Sequence, residues 1–360
     1  MKIIGVSDVS IGYGSPQIIR LMQSLGQHYG TSDVLLFEPD NAKIEPARQI
    51  GKYPVLRMDT MYDPYSEPGR IEYCIRVAKE INKRKPDVLV LFCTFTLPVL
   101  FKLKFRPRKV IYYHIEYAPF YGDFDIEMNL NIGGKVDLLL YPEENRARLD
   151  IEKCGYKDIP IEIIYNSSQS VDELDLSRSR NRENKILYQG LISRDLTFAD
   201  YYLEPRLQRF PIDLYGTFST KDSHYLESRF VELTGNIRYL GYLKNSELSR
   251  VRKKYSYSIV MWNPISENYY YACPNKFFES IFDAVPPIAA PHPQCKLIIK
   301  QYNCGIVMND WSFNAFEEAL KKAMNLLGTH TYDQMVENCL YAAQQELNWE
   351  KQFMKVAAHL

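Results

Sequence analysis

Two side chains with opposite charge stand three positions apart in a segment that begins with tyrosines. The segment reads NYYYACPNKFFESIFDAVPPIAA, residues 268–290, and it contains Lys276 and Glu279 shortly after Pro274. Proline suits the first turn of a helix, so Lys276 would lie near the positive end of a helix. A lysine and helix N–H groups suit a diphosphate. A carboxylate one turn later suits the paired hydroxyls of a ribose, as a bidentate acceptor that uses both of its oxygens. The alternative is a surface ion pair, worth only a few tenths of a kcal/mol.

Neighbouring residues extend this candidate site. Asn275 directly precedes the lysine, and the tyrosines at 269–271 could pack on a sugar ring or base. Tyr271 in particular lies eight positions before Glu279. The segment therefore predicts a site for a nucleotide that carries a sugar.

Glycines end three strand-like runs of the second half of the chain. They are Gly190 in ILYQGL, Gly216 in DLYGTF and Gly241 in YLGYLK. Glycine turns admit a flat base close to the backbone, and Tyr242 could then act as a lid. Arg194, in LISRDL, would begin a helix after the first of these runs and could pair with phosphate oxygens. The alternative for Arg194 is a solvated side chain.

The first half of the chain offers two further groups of residues. Gly12 and Gly14 follow the first strand-like run and could approach a diphosphate, although Gln17 stands where G-x-G-x-x-G has its third glycine. A purely structural turn is the alternative. His114 and Glu116, in KVIYYHIEY, leave the end of another strand-like run. His114 could be a general base that Glu116 orients, or a hydrogen-bonded structural histidine.

Alternating elements must position these residues. Strand-like apolar runs alternate with helix-like segments, and the runs begin at Lys2, Asp33, Asp87, Lys109, Lys135 and Ile161, then at Lys185, Ile212, Asn236, Tyr257, Pro286 and Gly305. Several runs are apolar at consecutive positions, which is typical of parallel strands buried on both faces. The pattern predicts an α/β protein with two doubly wound, Rossmann-like parallel-sheet domains that face a cleft, with ligands at the carboxyl ends of the strands.

A polar stretch divides the two series of runs. We predict a first domain at 1–166, a linker at 167–184, a second domain at 185–331 and C-terminal helices at 332–360 that could pack back on the first domain. The length of 360 residues agrees with two domains.

Composition excludes several classes of protein. Lys+Arg and Asp+Glu both number 44, so the net charge is zero and general nucleic-acid binding is not expected. Seven cysteines without a C-x-x-C pair favour a reducing compartment. The remaining histidines have no ligand spacing, so we expect no metal site. With no signal peptide or membrane span in the sequence, we expect a cytoplasmic protein.

One segment bears on membranes. LPVLFKLKFRPRKV, Leu97 to Val110, mixes apolar and basic residues and could rest on an anionic membrane surface, which would make the protein peripheral on the inner face of the cell membrane. The alternative is an ordinary crossover segment with a basic end.

The ordered set of motifs resembles the GT-B glycosyltransferases, close to the large retaining group called family 4. The pieces are the glycine loop, YYHIEY, IIYNS, ILYQGLISRDL, NIRYLGYL and PNKFFESIFDAVPPIAA, and together they cover nearly the whole chain. The resemblance implies a hexosyltransferase of polysaccharide or glycoconjugate biosynthesis. It would move a sugar from a nucleoside-diphosphate sugar, held by the second domain, to a glycan or lipid-linked acceptor, held by the first. Transfer would retain configuration and need neither metal nor cofactor.

The resemblance also implies roles for residues. Glu279 would bind the donor ribose, Arg194 and Lys276 the diphosphate, Gly241 and Tyr242 the base, and His114 would lie beside the reacting sugar.

Departures from the family pattern keep two alternatives open. Tyr271 stands where the family has the first of two glutamates, Asp195 replaces a glycine beside Arg194, and Val285 replaces a glycine before the proline pair. One alternative is a nucleotide-sugar epimerase of the same architecture. The other is a non-catalytic protein that binds a nucleotide or sugar.

Overall fold

The computed structural model describes residues 1–11, 16–41, 49–116, 129, 131–156, 158–175, 182–272 and 274–360. They divide into two compact units, one of Met1–Ser168 with Gln352–Leu360 and the other of Gln169–Lys351. Each unit is built around its own sheet.

Within its described residues, the first unit has a sheet of eight strands. They are β1 (Ile3–Val6), β2 (Val34–Pro39), β3 (Gln49–Ile50), β4 (Tyr53–Met58), β5 (Val88–Phe92), β6 (Lys109–Tyr113), β7 (Leu138–Tyr141) and β8 (Ile161–Ile163). Their order is β3-β4-β2-β1-β5-β6-β7-β8, and all neighbours are parallel except β3 and β4. Strands β1, β2, β5 and β7 are buried along their whole length, because helices cover both faces of such a sheet.

Helices connect these strands. They are α1 (Pro16–His28), α2 (Glu67–Arg84) and α3 (Glu144–Cys154), with a 3₁₀ helix at Thr94–Lys102. Local sequence explains the ends of α2: the Ser66 side chain accepts a hydrogen bond from the N–H of Gly69, and Lys85 ends the helix in the left-handed conformation. The apolar side of α2, including Val77 and Ile81, packs into the core of this unit.

In the part of the second unit that the structure describes, six parallel strands form one sheet. Its strands are β9 (Glu183–Ile192), β10 (Ile212–Phe218), β11 (Ile237–Tyr239), β12 (Tyr255–Val260), β13 (Pro287–Ala289) and β14 (Ile306–Val307), in the order β11-β10-β9-β12-β13-β14. The expected pair of Rossmann-like α/β domains is therefore confirmed. All six strand-like runs of the second half correspond to strands.

The helices of the second unit follow its strands. They are α4 (Arg194–Thr197), α5 (Ser223–Val231), α6 (Asn245–Arg252), α7 (Glu267–Tyr270), α8 (Asn275–Phe282), α9 (Pro293–Tyr302), α10 (Phe313–Leu326) and α11 (His330–Gln345), with 3₁₀ helices at Val171–Glu173, Ala199–Leu203 and Pro205–Leu207. The last helix, α12 (Trp349–Ala357), begins in the second unit and continues into the first.

The end of the chain belongs to the first unit. From Gln352 onward, residues of α12 group with that unit, and the Gln352 Oε1 atom accepts the backbone N–H of Tyr165 at 2.9 Å. His359 Nε2 lies 2.7 Å from Glu162 Oε1 on β8. These contacts tie the C-terminus to the edge of the first sheet.

Candidate functional site

Three predicted glycines lie side by side at the carboxyl edge of the second sheet. Gly190 of β9 is in register with Gly216 of β10, and the N–H of Gly216 donates to the carbonyl of Gly241 at 2.9 Å. A Cβ atom on Gly216 would lie 1.7 Å from the carbonyl oxygen of Gly190. The two strands therefore approach each other here at a distance that only glycine allows, and they leave a bare backbone surface. Tyr242 follows with 66% of its surface exposed.

Lys276 lies in the first turn of α8, beside this glycine edge. Its ammonium is 3.4 Å from the carbonyl oxygen of Gln189 and lies over the rings of Tyr188 and Trp262, at 4.7 and 5.6 Å from their centroids. Among the described residues, no carboxylate lies within ion-pair distance of this ammonium. Burial lowers the pKa of Lys276 to about 8. Lys276 is thus a cation held at the sheet edge by a carbonyl and two aromatic rings.

Glu279 lies one turn further along α8 and is buried. Its Oε2 atom accepts hydrogen bonds from Arg252 Nη1 at 2.6 Å and from Gln189 Nε2 at 3.0 Å. Gln189 therefore joins the two predicted site residues, since its carbonyl contacts Lys276 and its side chain contacts Glu279. Arg252 also donates from Nε to Asp283 Oδ2 at 2.8 Å.

The structure thus adds Gln189 and Arg252 to the site that the sequence predicts. Gln189 directly precedes Gly190 in the same strand, a position that could have drawn attention to it. Arg252 is the last residue of the polar helix α6, and nothing in the local sequence indicates that its side chain is buried. The helix itself begins one residue later than expected, because Pro274 is the N-cap and Asn275 is the first helical residue.

Trp262 and His292 contact the backbone of the tyrosine segment, residues 269–271. Trp262 stacks on His292 with ring centroids 4.3 Å apart, and Trp262 Nε1 donates to the carbonyl of Tyr269 at 2.9 Å. His292 Nδ1 lies 3.1 Å from the carbonyl oxygen of Tyr270, and burial lowers the pKa of His292 to about 4. The imidazole is therefore neutral near pH 7 and donates to that carbonyl. Tyr271 packs edge-on against Tyr270.

Arg194 makes contacts that are separate from those of Lys276 and Glu279. Its Nε atom lies 2.9 Å from Asp200 Oδ2, and its guanidinium lies over the Tyr225 ring at 4.6 Å. Its backbone N–H donates to Asp222 Oδ2 at 3.0 Å, so the start of α4 is already occupied by a carboxylate. The proposed role of Arg194 at the diphosphate stays a prediction, and it requires the Asp200 pair to open.

His114 lies in the interior of the first unit. Its Nδ1 atom is 3.0 Å from Asp150 Oδ2, its Nε2 atom is 3.2 Å from the Tyr156 hydroxyl, and its ring stacks on Tyr141. Asp150, not Glu116, is the carboxylate beside the imidazole, but its contact with Nδ1 lacks hydrogen-bond geometry. The hydrogen bond between Nε2 and Tyr156, together with the complete burial of the ring, matches the alternative of a hydrogen-bonded structural histidine.

Glu116 lies at the surface, unlike His114. Its side chain is 42% exposed, and its Oε2 atom is 3.4 Å from Arg146 Nη1. Catalytic roles for His114 and Glu116 stay predictions, and of the two only Glu116 is accessible.

Adjacent strand ends of the first sheet bring a second group of polar residues together. Asp8 follows β1, Cys93 follows β5 and Glu116 follows β6, and these strands are neighbours. Burial raises the pKa of Asp8 to about 6. The hydrogen bond with the Cys93 side chain and the charge of Arg70 both act in the opposite direction and lower this pKa. Arg70 itself lies over the Phe95 ring at 3.4 Å. Of this group the sequence analysis singles out only Glu116, because Asp8 and Cys93 are far from it in the chain and no local motif connects them.

We expect Asp8→Asn to stabilise the protein near neutral pH. The pKa of Asp8 is higher in the folded protein, about 6, than the ordinary value of 3.8, so its charge opposes folding above pH 6 and this cost disappears as pH falls toward 4. The gain should be roughly 1–2 kcal/mol at about pH 8 and smaller at about pH 5, after a discount for partial exposure. Urea unfolding at both pH values measures it. The exposed Asp33→Asn is the control, and an equal gain there would contradict the burial argument.

Solved structures with the same architecture align with the whole chain. HepE from Anabaena, crystallised in complex with UDP and glucose, has a TM-score of 0.71 and 13% identity over 99% of this chain and 98% of its own. Sucrose-phosphate synthase from Thermosynechococcus elongatus has a TM-score of 0.73 and 13% identity over 99% and 98%. WaaG, a glycosyltransferase involved in lipopolysaccharide biosynthesis, has a TM-score of 0.68 and 14% identity over 99% and 98%. No family profile and no curated protein sequence matches the chain.

The chain has the GT-B fold. This follows from the two Rossmann-like sheets together with full-length alignment to these structures, and it confirms the resemblance that the motifs indicated. In the terms of the GT-B fold, Lys276, Glu279 and the glycine edge lie in the C-terminal domain, and Asp8 and His114 lie in the N-terminal domain.

Two other predicted features, the glycine loop and the basic segment, belong to the first half of the chain. Gly12 and Gly14 lie outside the described residues. Within Leu97 to Val110, the side chains of Leu97, Val99 and Leu100 are buried in the core of the N-terminal domain, and the segment has only Phe101 as an exposed large apolar side chain. This matches the alternative of an ordinary crossover segment.

The described part of this GT-B chain contains neither a membrane-spanning helix nor a metal-binding cluster. None of its helices is both long and apolar enough to cross a membrane. No group of three or more His, Cys, Asp or Glu side chains is arranged there to hold a metal ion. The described cysteines are Cys74, Cys93, Cys154, Cys295, Cys304 and Cys339; all six are buried, and none of them forms a disulfide bond.

Proposed function

We propose that this GT-B protein is a glycosyltransferase that takes a sugar from a nucleoside-diphosphate sugar. The observation that carries the proposal is the cluster of Gln189, Lys276 and Glu279 beside the glycine edge of the C-terminal sheet. It places a cation and a buried carboxylate one helical turn apart, next to bare backbone.

The parts of this cluster fit the parts of such a donor. Lys276 and the positive end of α8 would neutralise the diphosphate, which gains negative charge as the sugar leaves. Glu279 would accept a hydrogen bond from the ribose. The base would lie across Gly190, Gly216 and Gly241, where a side chain would block it. We propose a metal-independent transfer, because fixed protein charges can stabilise the leaving group. Retention of configuration is proposed from the resemblance of the motifs alone.

The nucleotide is proposed from structural neighbours. HepE was crystallised with UDP, with UDP and glucose, and with UDP-glucose. We therefore expect a uridine nucleotide and propose a hexosyl group. The neighbours WaaG and the lipopolysaccharide outer core galactosyltransferase WaaB support a glycan or lipid-linked acceptor and a role in surface polysaccharide synthesis. Such an acceptor is consistent with a cytoplasmic enzyme that associates with the membrane.

We propose that the acceptor binds the N-terminal domain at the ends of β1, β5 and β6. Burial raises the pKa of Asp8 to about 6, so near pH 7 it is mostly a carboxylate that could act as a general base as an acceptor hydroxyl reacts. Arg70 and Glu116 lie near Asp8 and could orient the acceptor. His114, which directly follows β6, would help to fix the position of this strand end and of the adjoining loop.

A nucleotide-binding protein without turnover is the second candidate. Tyr271 occupies the position of a glutamate that the resemblance leads one to expect, and a tyrosine cannot supply its charge. An assay that follows release of UDP from UDP-sugars, with and without acceptor mixtures, separates the candidates. A transferase releases UDP in an acceptor-dependent way, whereas a binding protein or an epimerase does not.

Thermal-shift measurements with UDP, GDP, ADP and CMP test the proposal first. We expect UDP to raise the melting temperature, because a ligand that binds only the folded state stabilises it by mass action. Glu279→Gln should reduce that shift. If none of the four nucleotides stabilises the wild-type protein, the proposed function is wrong.

A further inference from the structure

Two further buried charged side chains, those of Arg252 and Asp283, are linked to the carboxylate of Glu279. Arg252 is almost completely buried and donates from Nη1 to Glu279 Oε2 at 2.6 Å and from Nε to Asp283 Oδ2 at 2.8 Å. Asp283 is held in turn by the Ser249 hydroxyl at 2.8 Å. One arginine thus holds two carboxylates of α8 and its C-terminal end in fixed positions.

The hydrogen bonds to Glu279 converge on one of its two oxygens. Oε2 accepts from both Arg252 and Gln189, and within the described part of the chain no hydrogen bond goes to Oε1. A carboxylate oxygen has two lone pairs, so Oε2 is already saturated while Oε1 keeps its acceptor capacity. The side chain cannot turn without breaking both bonds, and it therefore presents Oε1 in a fixed direction.

The sequence predicts that both oxygens of Glu279 accept hydrogen bonds from the ribose hydroxyls. The arrangement in the structure differs, because only Oε1 keeps its acceptor capacity. We propose that Arg252 and Gln189 are positioning residues that hold Glu279 so that Oε1 alone receives the ribose hydroxyls, and that they thereby make the site selective for ribonucleotides over nucleotides that lack those hydroxyls. The inference rests on the proposed function, since it assumes that the cluster binds a nucleoside diphosphate.

The physical basis of the selectivity is the fixed position of the acceptor. A site built to hydrogen-bond a hydroxyl rejects an analogue without it, because a buried acceptor is then left unpaired. A carboxylate that is free to rotate would instead find water or another donor, and the discrimination would fall. Loss of Arg252 or Gln189 should therefore reduce the preference for the hydroxyl groups more than it reduces the affinity for the rest of the nucleotide.

The test measures the dissociation constants of UDP and of 2′,3′-dideoxyuridine diphosphate by calorimetry, and uses the ratio of the two. If GDP, ADP or CMP binds better in the thermal-shift screen, the matching pair of that nucleotide replaces them. The wild type should prefer the ribonucleotide by about tenfold or more. Arg252→Gln, Gln189→Ala and Glu279→Gln should each bring the ratio toward one, and Arg252→Lys should restore part of it.

Gln189→Ala keeps the test decisive if Arg252→Gln does not fold, because it removes a neutral donor and leaves the buried ion pairs intact. Arg209→Gln is the matched control. It also breaks an arginine–glutamate pair, in which Arg209 Nη2 lies 2.7 Å from Glu317 Oε1, and it should keep the wild-type ratio of dissociation constants.

The possible results distinguish failure of this inference from failure of the proposed function. If the positioning variants lose affinity for both nucleotides equally and keep the ratio, Arg252 and Gln189 are only structural, and the inference fails while the proposed function stands. If Glu279→Gln keeps the ratio, Glu279 does not contact the ribose and the inference is also wrong. If the wild type binds none of the ribonucleotides, both the inference and the proposed function are overturned.

Discussion

Lys276→Met is expected to lower the affinity for UDP by about 100-fold and, at the same time, to stabilise the protein without ligand. Affinity falls because the ammonium that would face the diphosphate is lost. Stability rises because burial lowers the pKa of Lys276 to about 8, so that carrying its charge in the folded state costs free energy. Few substitutions have opposite effects on binding and folding, and this combination is typical of a functional residue.

The sign of the stability effect follows from linkage. The pKa of Lys276 is about 8 in the folded protein and near 10.5 in the unfolded chain. Its charge therefore opposes folding fully below pH 8, and the cost disappears as pH rises toward 10.5. With a discount for partial exposure, methionine should add roughly 1–2 kcal/mol to the free energy of unfolding near pH 7. Urea unfolding measures this gain.

Binding should depend on pH in the same window. A diphosphate prefers the charged ammonium, so the affinity of the wild type for UDP should fall as pH rises above about 8. In Lys276→Met this fall should be absent, and calorimetry at about pH 7 and about pH 9 compares the two proteins. Lys300→Met, at an exposed position of α9, serves as the control and should bind UDP like the wild type. Unchanged affinity in Lys276→Met would remove this lysine from the diphosphate site.

The sequence predicts the sheets well because buried parallel strands leave a strong pattern. All six strand-like runs of the C-terminal domain correspond to β9–β14, and six runs of the N-terminal domain correspond to β1, β2 and β5–β8. Strands β3 and β4 were missed. Strand β4 contains Pro54 and alternates exposed with buried residues at its start, since it lies near the edge of the sheet, so its apolar signal is weak.

The candidate site is predictable only where chemistry and spacing are local. Lys276 and Glu279 lie on one helix, and their relation is visible in the sequence. Gln189 and Arg252 are far from them in the chain, so only the fold shows that both donate or accept within this cluster.

His114 and Arg194 show the opposite difficulty. Each stands at a strand end or helix start where function is common, but tertiary partners decide what the side chain does. Tyr156 hydrogen-bonds to His114 in the interior, with Asp150 beside the ring, and Asp200 binds Arg194. No local pattern announces these partners, because they come from other elements of the fold.

Gly216→Ala is expected to destabilise the C-terminal domain by about 3 kcal/mol or more, with loss of UDP binding. The φ angle of Gly216 is +153°, and an added Cβ atom would lie 1.7 Å from the carbonyl oxygen of Gly190 in the neighbouring strand. The new methyl group meets backbone rather than a flexible side chain, so β9 and β10 must separate to admit it.

Separation of these strands would act on the binding site through Gln189. Gln189 precedes Gly190 in β9 and contacts both Lys276 and Glu279, so a shift of β9 moves the carbonyl and the amide that hold them. Urea unfolding and calorimetry with UDP measure the two effects. Gly133→Ala is the control, because no heavy atom lies within 4 Å of its added Cβ and its backbone has no positive φ. Wild-type stability in Gly216→Ala would mean that β9 and β10 do not approach as closely as described, and the glycine edge would then not be a surface that only glycine can form.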